Sequence, residues 1–150
     1  MPTKIRQATF QDLNFIATSQ VAMAFETENL KLDPSIVKKG VMAVLNDASK
    51  GVYYVAEINQ QVVACLLTIP EWSDWRNGTV LWIHSVFVEE KVRGLGVYKD
   101  LYLHLQAIVQ NSDQYRGLRL YVDKTNVRAQ AVYQKLGMSK EHYELYEWMK

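Results

Sequence analysis

The spacing of apolar positions changes twice along the chain and divides it into three stretches. In the first, apolar residues recur three or four positions apart and predict helices over 9–25 and 34–47, after a short alternating strand over 3–9. Asp33 precedes a proline and is a favourable N-cap for the second helix. The polar stretch 26–32 between the helices predicts a loop.

The middle stretch is rich in β-branched and aromatic residues and predicts three strands. Residues 51–72 divide at the Asn-Gln pair 59–60 into two such runs, which is the pattern of a hairpin. A second turn signal, the Asn-Gly pair 77–78, precedes a long apolar run over 79–90. Strands joined by turns this short indicate an antiparallel meander.

The last stretch returns to helical spacing. It predicts a helix over 96–110, a strand over 118–123, a helix over 126–137 with Gly137 as its stop, and a final strand over 138–150. The predicted fold class is therefore α/β (α+β), with a mixed, mainly antiparallel central sheet. The predicted order is β-α-α-β-β-β-α-β-α-β, in which one parallel crossover follows the meander.

Length and composition narrow the class of protein. A chain of 150 residues without repeats or linker-like segments predicts one domain over 1–150, and 49% apolar with 22% charged residues is typical of a globular protein. The net charge of +1 argues against nucleic-acid or membrane-surface partners. The lone Cys65 excludes an intrachain disulfide, and no apolar run has the length of a membrane span, so we expect a cytoplasmic protein.

The stretch "EEKVRGLGVYKDL" over 89–101 carries two glycines between a predicted strand and a predicted helix. Backbone N–H groups and the positive end of the helix dipole would point at one small volume there, and Gly94 and Gly96 leave that backbone uncovered. Arg93 adds a charged fork. The stretch predicts a phosphate-binding loop, with an ordinary strand-to-helix turn as the alternative.

Two known phosphate-binding patterns fit the stretch poorly. The P-loop pattern requires Gly-Lys-Ser/Thr, which does not follow the glycines. The dinucleotide fingerprint requires a third glycine where Lys99 stands, although Asp123 is correctly placed for its acidic residue. The antiparallel first half also argues against a nicotinamide-binding domain, which remains a remote alternative.

The sequence resembles the GNAT superfamily of acetyl-CoA-dependent N-acetyltransferases. The family's pyrophosphate loop, Arg/Gln-x-x-Gly-x-Gly/Ala, is similar to residues 93–98, where Tyr98 stands in place of the usual small residue. The family's later motif is similar to Asn126, Ala129, Tyr133 and the following "QKLGM". The stretches "ETENLKLDP" and "EWSDWRNG" resemble a bacterial subgroup whose members are largely uncharacterised.

The resemblance implies that acetyl-CoA is the co-substrate. No metal is expected, because the three histidines lack ligand-like spacing with each other or with Cys65. The pantetheine arm would enter a V-shaped split between parallel strands 80–88 and 118–123. Arg128 or Lys124 would meet the outer phosphate, with a solvated helix start as the alternative. The cofactor contacts implied are Phe87, Val88, Arg93, Gly94, Leu95, Gly96, Val97, Tyr98, Asn126 and Arg128.

The resemblance also implies catalytic roles. Tyr133 matches the family's catalytic tyrosine and would protonate the leaving thiolate; the alternative is a core tyrosine on an apolar helix face. A backbone N–H near Phe87 or Val88 would stabilise the oxyanion. Acetylation also requires a neutral amine nitrogen, so we expect a general base or a water chain that leads to one.

His84 is the candidate general base. Strand alternation predicts that it shares a face with Trp82 and Val86, and an ordinary histidine titrates near neutral pH. A structural histidine is the alternative. Glu26 and Glu28 are rival bases acting through water.

The resemblance implies an acceptor site at the loop 26–32 and the "EWSDWRNG" turn, whose acidic and aromatic side chains could hold a cationic amine. Solvated acidic loops, or tryptophans packed in a hairpin or a dimer interface, are the alternatives. We expect acetylation of a small-molecule primary amine in a ternary complex; acetylation of protein N-termini or lysines and a non-catalytic CoA-sensing module are the alternatives. A homodimer is expected from family habit alone. The candidate acceptor residues are Glu26, Glu28, Trp72 and Trp75, with Glu71 and Asp74 nearby.

Overall fold

Five β-strands and four α-helices make up the regular structure of residues 2–150, the part of the chain that the computed structural model describes. Two compact units are distinguished, one ending at Arg119 and the other comprising Leu120–Lys150. The strands are β1 Lys4–Gln7, β2 Val52–Ile58, β3 Gln61–Ser73, β4 Gly78–Val88 and β5 Tyr115–Arg119. The helices are α1 Leu13–Glu28, α2 Pro34–Asn46, α3 Val97–Gln110 and α4 Val127–Lys135.

The strands form one sheet in the order β1-β2-β3-β4-β5. The first three pairings are antiparallel and the β4–β5 pairing is parallel. Asn59 and Gln60 join β2 to β3 with φ of 52° and 64°, which is the two-residue turn that matches the twist of a hairpin. The predicted hairpin and the predicted mixed, mainly antiparallel sheet are confirmed.

The parallel ladder covers only the first part of β4. It runs from Thr79 opposite Tyr115 to Trp82 opposite Arg119, whereas β4 continues along β3 as far as Val88. Within the described residues, the later part of β4 therefore has no ladder on its β5 side. The split between parallel strands was predicted at this edge.

The strand predicted over 118–123 is displaced in the structure, where β5 covers Tyr115–Arg119. The Arg116 guanidinium donates to the carbonyl oxygens of Arg76 and Asn77 at 3.1 and 3.0 Å, which anchors the start of β5 beside the β3–β4 turn. An arginine and Gly117 in these positions carry no apolar signal, so the apolar pattern placed the strand too late.

A β-bulge interrupts β4 near its centre. Between the pairs Leu67–His84 and Cys65–Phe87, β4 advances three residues while β3 advances two, and Ser85 has φ of 55°. A bulge of this kind redirects the side chains that follow it.

The bulge corrects one prediction made from strand alternation. Phe87, rather than Val86, lies on the sheet face that carries Trp82 and His84. On that face the Phe87 ring meets the Phe15 ring of α1 edge-on, with centroids 6.3 Å apart. The side chain after the bulge therefore packs in the layer between α1 and the sheet.

Helices cover both faces of the sheet. Tyr53 and Val55 of β2 pack towards α1 and α2, and the intervening Tyr54 meets the His104 ring of α3 with centroids 5.6 Å apart. The helices pack through apolar side chains at helical spacing, such as Ile16 and Ala17 of α1 and Leu101 and Leu105 of α3, whereas Ile36 of α2 is exposed. The core on the α1 and α2 side consists of Ile16, Ala17, Val41, Tyr53, Val55, Cys65 and Leu67.

Two further boundaries differ from the prediction. Helix α1 continues through Glu28 into the predicted loop and ends where Asn29 adopts a left-handed φ of 52°. The tail 138–150 contains no strand, and Tyr146 and Trp148 are each 90% exposed. A strand requires a neighbouring strand for its backbone groups, and no ladder within residues 2–150 includes the tail.

A charged cluster ties β1 to the start of α1. Arg6 donates to both carboxylate oxygens of Asp12 at 2.8 and 2.9 Å and to Glu57 at 2.6 Å, and Asp12 is only 4% exposed. Burial by itself would raise the pKa of Asp12, but Arg6 and the Thr9 N–H outweigh it and hold this pKa below the ordinary 3.8. Asp12 therefore stabilises the fold in its charged form.

We expect Asp12→Ala to lower the free energy of unfolding by about 2 kcal/mol, because it leaves Arg6 without one carboxylate; the value is reduced from that of a fully buried pair since Arg6 is partly exposed. A lowered pKa means that the contribution is complete above pH 3.8 and is lost as the pH falls through the folded-state pKa. Urea unfolding at pH 7 and at pH 3 measures both effects. Asp47→Ala, which removes an exposed Lys50 pair, is the control; an equal loss in the two variants would contradict the prediction.

Candidate functional site

The loop between β4 and α3 is shaped by two glycines. A short 3-10 turn over Glu90–Val92 follows β4, and Gly94 and Gly96 then adopt φ of 81° and 85° before α3 begins. A Cβ atom added at either glycine would have no neighbour within 4 Å. Glycine is therefore needed for the left-handed backbone, and the space beside that backbone is open.

The open space lies at the N-terminus of α3. The Asp100 N–H donates to the Gly96 carbonyl oxygen at 3.0 Å and begins the helical hydrogen bonds. The N–H groups of Val97 and Lys99 precede that bond, in the first turn, where a helix offers no acceptor of its own. Together with the helix dipole they form an arrangement suited to a phosphate group.

Arg93 of this loop contacts both β4 and α1. Its Nε donates to the Val88 carbonyl oxygen at 2.9 Å, and its Nη2 donates to Glu26 Oε2 at 3.0 Å. Nη1 donates to the other oxygen of the same carboxylate, so the pair is bidentate. The contact lowers the pKa of Glu26 and raises the pKa of Arg93. The structure thus joins a predicted donor-site residue to a predicted acceptor-site residue.

The backbone at the end of β4 presents donors to the open edge. The Glu89 N–H donates to the Val63 carbonyl oxygen at 2.9 Å, so Val88 occupies the position whose N–H and C=O point away from β3. The C=O accepts from Arg93, and the N–H faces the edge beyond the end of the β5 ladder. By the same alternation the Phe87 N–H points towards β3, which favours Val88 as the donor to an oxyanion.

His84 lies on the α1 and α2 side of the sheet, half-buried beside Trp82, with ring centroids 6.3 Å apart. Burial lowers the pKa of His84 below the ordinary 6.5, so the imidazole is neutral at pH 7. Glu71 accepts from the Trp82 indole N–H at 2.9 Å and from Arg119 at 3.0 Å. The Glu71 carboxylate is therefore already hydrogen-bonded to side chains of this protein, whereas it was predicted to lie near the bound acceptor amine.

A cleft of about 360 Å³ runs between α1 and the end of β4. A second hollow of about 480 Å³ shares Phe87 and Glu89 with it, and Glu89 Oε2 lies 2.9 Å from the Lys91 ammonium. This cleft was not predicted from the sequence, although Asn14, Thr18 and Ala22, which are small or polar residues at four-residue spacing on α1, signal it. The cleft is lined by Asn14, Phe15, Thr18, Ser19, Ala22, Phe87 and Glu89.

The predicted acceptor residues do not converge. Glu26 reaches the C-terminal end of β4 through Arg93, whereas Trp72 pairs with Thr79 at the other end of that strand. The rise of about 3.3 Å per residue separates these ends by on the order of 25 Å. Trp75 is 87% exposed in the turn, and Glu28 is exposed at the end of α1.

The remaining predicted site residues belong to the second unit. Asn126 caps α4, its Oδ1 accepting from the Ala129 N–H at 3.1 Å, and Arg128 is exposed. Tyr133 is half-buried, and burial raises its pKa, so the phenol is protonated at neutral pH. Gly137, with φ of 86°, ends the helix as predicted.

Other groups contribute no reactive centre of their own. Cys65 is fully buried, and burial raises the pKa of its thiol to about 12, which opposes thiolate chemistry. Among residues 2–150, no three histidine, cysteine, aspartate or glutamate side chains are arranged to hold a metal ion.

None of the helices described here has the length and apolar character required to cross a bilayer.

Comparison with known proteins identifies close relatives of the fold. The sequence profile of the Acetyltransferase (GNAT) family matches residues 18–138. A structure described as a possible acetyltransferase from Clostridium difficile 630 is 39% identical, with a TM-score of 0.93 over 100% of this chain and 99% of that one. None of the curated protein sequences matches the chain.

Two more distant structures share the fold. A predicted acetyltransferase with acetyl-CoA from Clostridium acetobutylicum is 18% identical, with a TM-score of 0.74 over 97% of this chain and 96% of that one. AAC(6')-Iy, in complex with a bisubstrate analogue of CoA and acetylneamine, is 18% identical, with a TM-score of 0.79 over 100% of this chain and 99% of that one.

Proposed function

Because the chain belongs to the GNAT acetyltransferase family, whose co-substrate is acetyl-CoA, we propose that it acetylates a primary amine of a small molecule by direct attack in a ternary complex. The observation that carries the proposal is the loop over 93–98, in which two left-handed glycines and the start of α3 leave several N–H groups around an open space. These N–H groups are proposed to bind the pyrophosphate.

The open edge of β4 supports a place for the rest of the donor. A pantetheine arm carries amide groups that can bond to a strand edge, and the Val88 N–H points to the edge where the β5 ladder has ended. We assign Asn126 and Arg128 to the arm and the outer phosphate by their place in the family's later motif. The capping bond of Asn126 uses its oxygen, so its amide N–H groups are the donors left for a ligand.

The acceptor must lose a proton before it attacks. A lysine-like amine with a pKa of about 10.4 requires about 4.6 kcal/mol to become neutral at pH 7. Neutral His84 is proposed as the base that takes this proton, directly or through water. Its position on the α1 and α2 face supports an acceptor site on that side of the sheet.

The remaining steps follow from acyl-transfer chemistry. The amine nitrogen bonds to the thioester carbon, and the oxyanion that forms accepts from the Val88 N–H. The carbon–sulfur bond then breaks, and Tyr133 is proposed to protonate the thiolate, for which its raised pKa keeps the proton available. The attacking nitrogen loses its second proton to water as the amide forms, and the Tyr133 phenolate regains a proton from solvent. Products are an N-acetyl amine and CoA.

A small-molecule acceptor is favoured by one neighbour. AAC(6')-Iy, which shares the fold, is bound to a bisubstrate analogue, CoA-S-monomethyl-acetylneamine. Glu28, Trp72 and Trp75 stay predictions for acceptor contacts. Glu28 lies beside Glu26 at the end of α1 and would act separately from the two tryptophans, because Trp72 lies far from the end of β4 that Glu26 reaches.

The first experiment measures thiol release from acetyl-CoA against a panel of amines, with thermal unfolding in parallel. Acetyl-CoA at about 100 times its dissociation constant is expected to add about 2.7 kcal/mol, a shift on the order of 5–10 °C for a chain of this size. Thiol release with one amine class would identify the acceptor chemistry.

Other outcomes separate the alternatives. A thermal shift without turnover on any small amine, followed by turnover on peptides, would assign the protein-acetylating alternative. A shift without turnover on either would indicate a CoA-sensing module. The absence of any shift would contradict the donor site.

A further inference from the structure

We propose that Glu26 is a positioning residue of the donor site, which holds Arg93 and thereby the phosphate-binding loop in its binding shape. This inference rests on the proposed function, because it assumes that the loop over 93–98 binds the pyrophosphate. It assigns Glu26 to the donor rather than to the acceptor.

The contacts of the arginine carry the inference. Each of its three side-chain nitrogens donates to a protein acceptor: Nε to the Val88 carbonyl oxygen, and Nη1 and Nη2 to the two oxygens of Glu26. The planar guanidinium therefore links the end of β4 and the last turn of α1 to the loop. A bidentate pair of this geometry restricts both side chains.

The loop has a specific need for such a restraint. Gly94 follows Arg93 directly, and both Gly94 and Gly96 adopt left-handed φ without packing contacts beside them. Glycine loses more conformational freedom on ordering than any other residue. A side chain anchored at two points immediately before the glycines reduces the disorder that a ligand must remove on binding.

If Arg93 instead binds the phosphate directly, removal of Glu26 should have the opposite effect on the affinity for CoA. In that arrangement the Glu26 carboxylate competes with the pyrophosphate for the guanidinium, and its removal would free a positive charge and tighten binding. In the positioning arrangement the pair is neutral, the backbone N–H groups bind the phosphate, and removal of Glu26 weakens binding. The sign of the effect therefore distinguishes the two arrangements.

The test is a double-mutant cycle with CoA as the ligand, measured by calorimetry on the full chain. We expect Glu26→Ala and Arg93→Ala each to raise the dissociation constant of CoA about fivefold. The double variant should bind CoA at most about twofold more weakly than whichever single variant binds it less tightly. The losses should not add, because each substitution removes the same Glu26–Arg93 contact. In steady-state kinetics the KM for acetyl-CoA should rise while kcat is retained.

Two further variants complete the design. Lys50→Ala removes an exposed ion pair with Asp47 elsewhere in the same unit and is expected to leave CoA binding unchanged. Glu26→Gln retains the length of the side chain and gives a second reading where the alanine variant folds poorly; it too is expected to weaken binding. Unfolding of the ligand-free variants shows whether a change in affinity is merely lost stability.

Three results would overturn the inference. Tighter binding by Glu26→Ala would identify Arg93 as a phosphate receptor that Glu26 occupies. Additive losses in the double variant would show that the two side chains act separately. A wild-type chain that does not bind CoA at all would overturn the proposed function together with this inference, whereas the first two results leave the proposed function intact.

Discussion

Tyr133→Phe is expected to lower kcat at least tenfold while leaving the affinity for acetyl-CoA unchanged. A positioned general acid contributes about 10²–10⁴-fold, and the phenolic hydroxyl is the only group that this substitution removes. Burial raises the pKa of Tyr133, so the wild-type side chain carries its proton at neutral pH and can give it to the thiolate. Thiol release at saturating substrates, with calorimetric binding of acetyl-CoA, measures both quantities.

The matched control is Tyr146→Phe, a tyrosine in the exposed tail to which no role is assigned. We expect that variant to retain the wild-type rate and affinity. An unchanged rate in Tyr133→Phe would remove this tyrosine as the acid without affecting the donor site. Equal losses in both variants would point to a general effect of removing phenol groups on the fold.

Features decided by neighbouring residues could be predicted from the sequence. The Asp33 side chain accepts from the Ser35 N–H at 2.8 Å and begins α2, as its place before a proline indicates. Gly137 ends α4 in a left-handed conformation, and the turn 59–60 joins β2 to β3. In each case the determining contacts lie within a few positions, so a local pattern contains them.

Features decided by distant partners could not be predicted. The bulge at Ser85 depends on the register between β3 and β4, and the apolar run "TVLWIHSVFV" carries no mark of it. The tail is rich in aromatic residues and yet forms no strand, because pairing requires a partner that the local sequence does not specify. The local sequence shows that a stretch can form a strand, but the strand forms only where a neighbouring strand provides hydrogen-bond partners for its backbone.

The candidate site likewise has parts that the local sequence indicates and parts that depend on distant residues. The phosphate-binding loop is contiguous, and its glycines could be assigned from their order alone. Glu26 and Arg93 are 67 positions apart, so nothing local indicates that an acid expected to bind the acceptor instead pairs with the loop. Likewise, the separation of Trp72 from the other end of β4 becomes evident only when the strand is laid out against β3.

His84→Gln is expected to reduce kcat about tenfold or more at pH 7 and to abolish the acidic limb of the pH–rate profile. The base acts in its neutral form, and burial lowers the pKa of His84 below 6.5. The wild-type kcat should therefore increase with pH through a midpoint below 6.5 and become constant by pH 7 as far as this group is concerned. The profile of kcat at saturating substrates reports this group within the complex rather than the free amine.

His104→Gln is the control for this prediction, because His104 packs on Tyr54 on the opposite face of the sheet and should leave the limb in place. Tyr133→Phe should also retain the acidic limb at a lower rate, since the acid and the base are different groups. A limb that persists in His84→Gln would contradict the assignment and place the base at a group reached through water. A limb lost only in His84→Gln would instead identify the α1 and α2 face as the side from which the amine attacks, because His84 lies on that face.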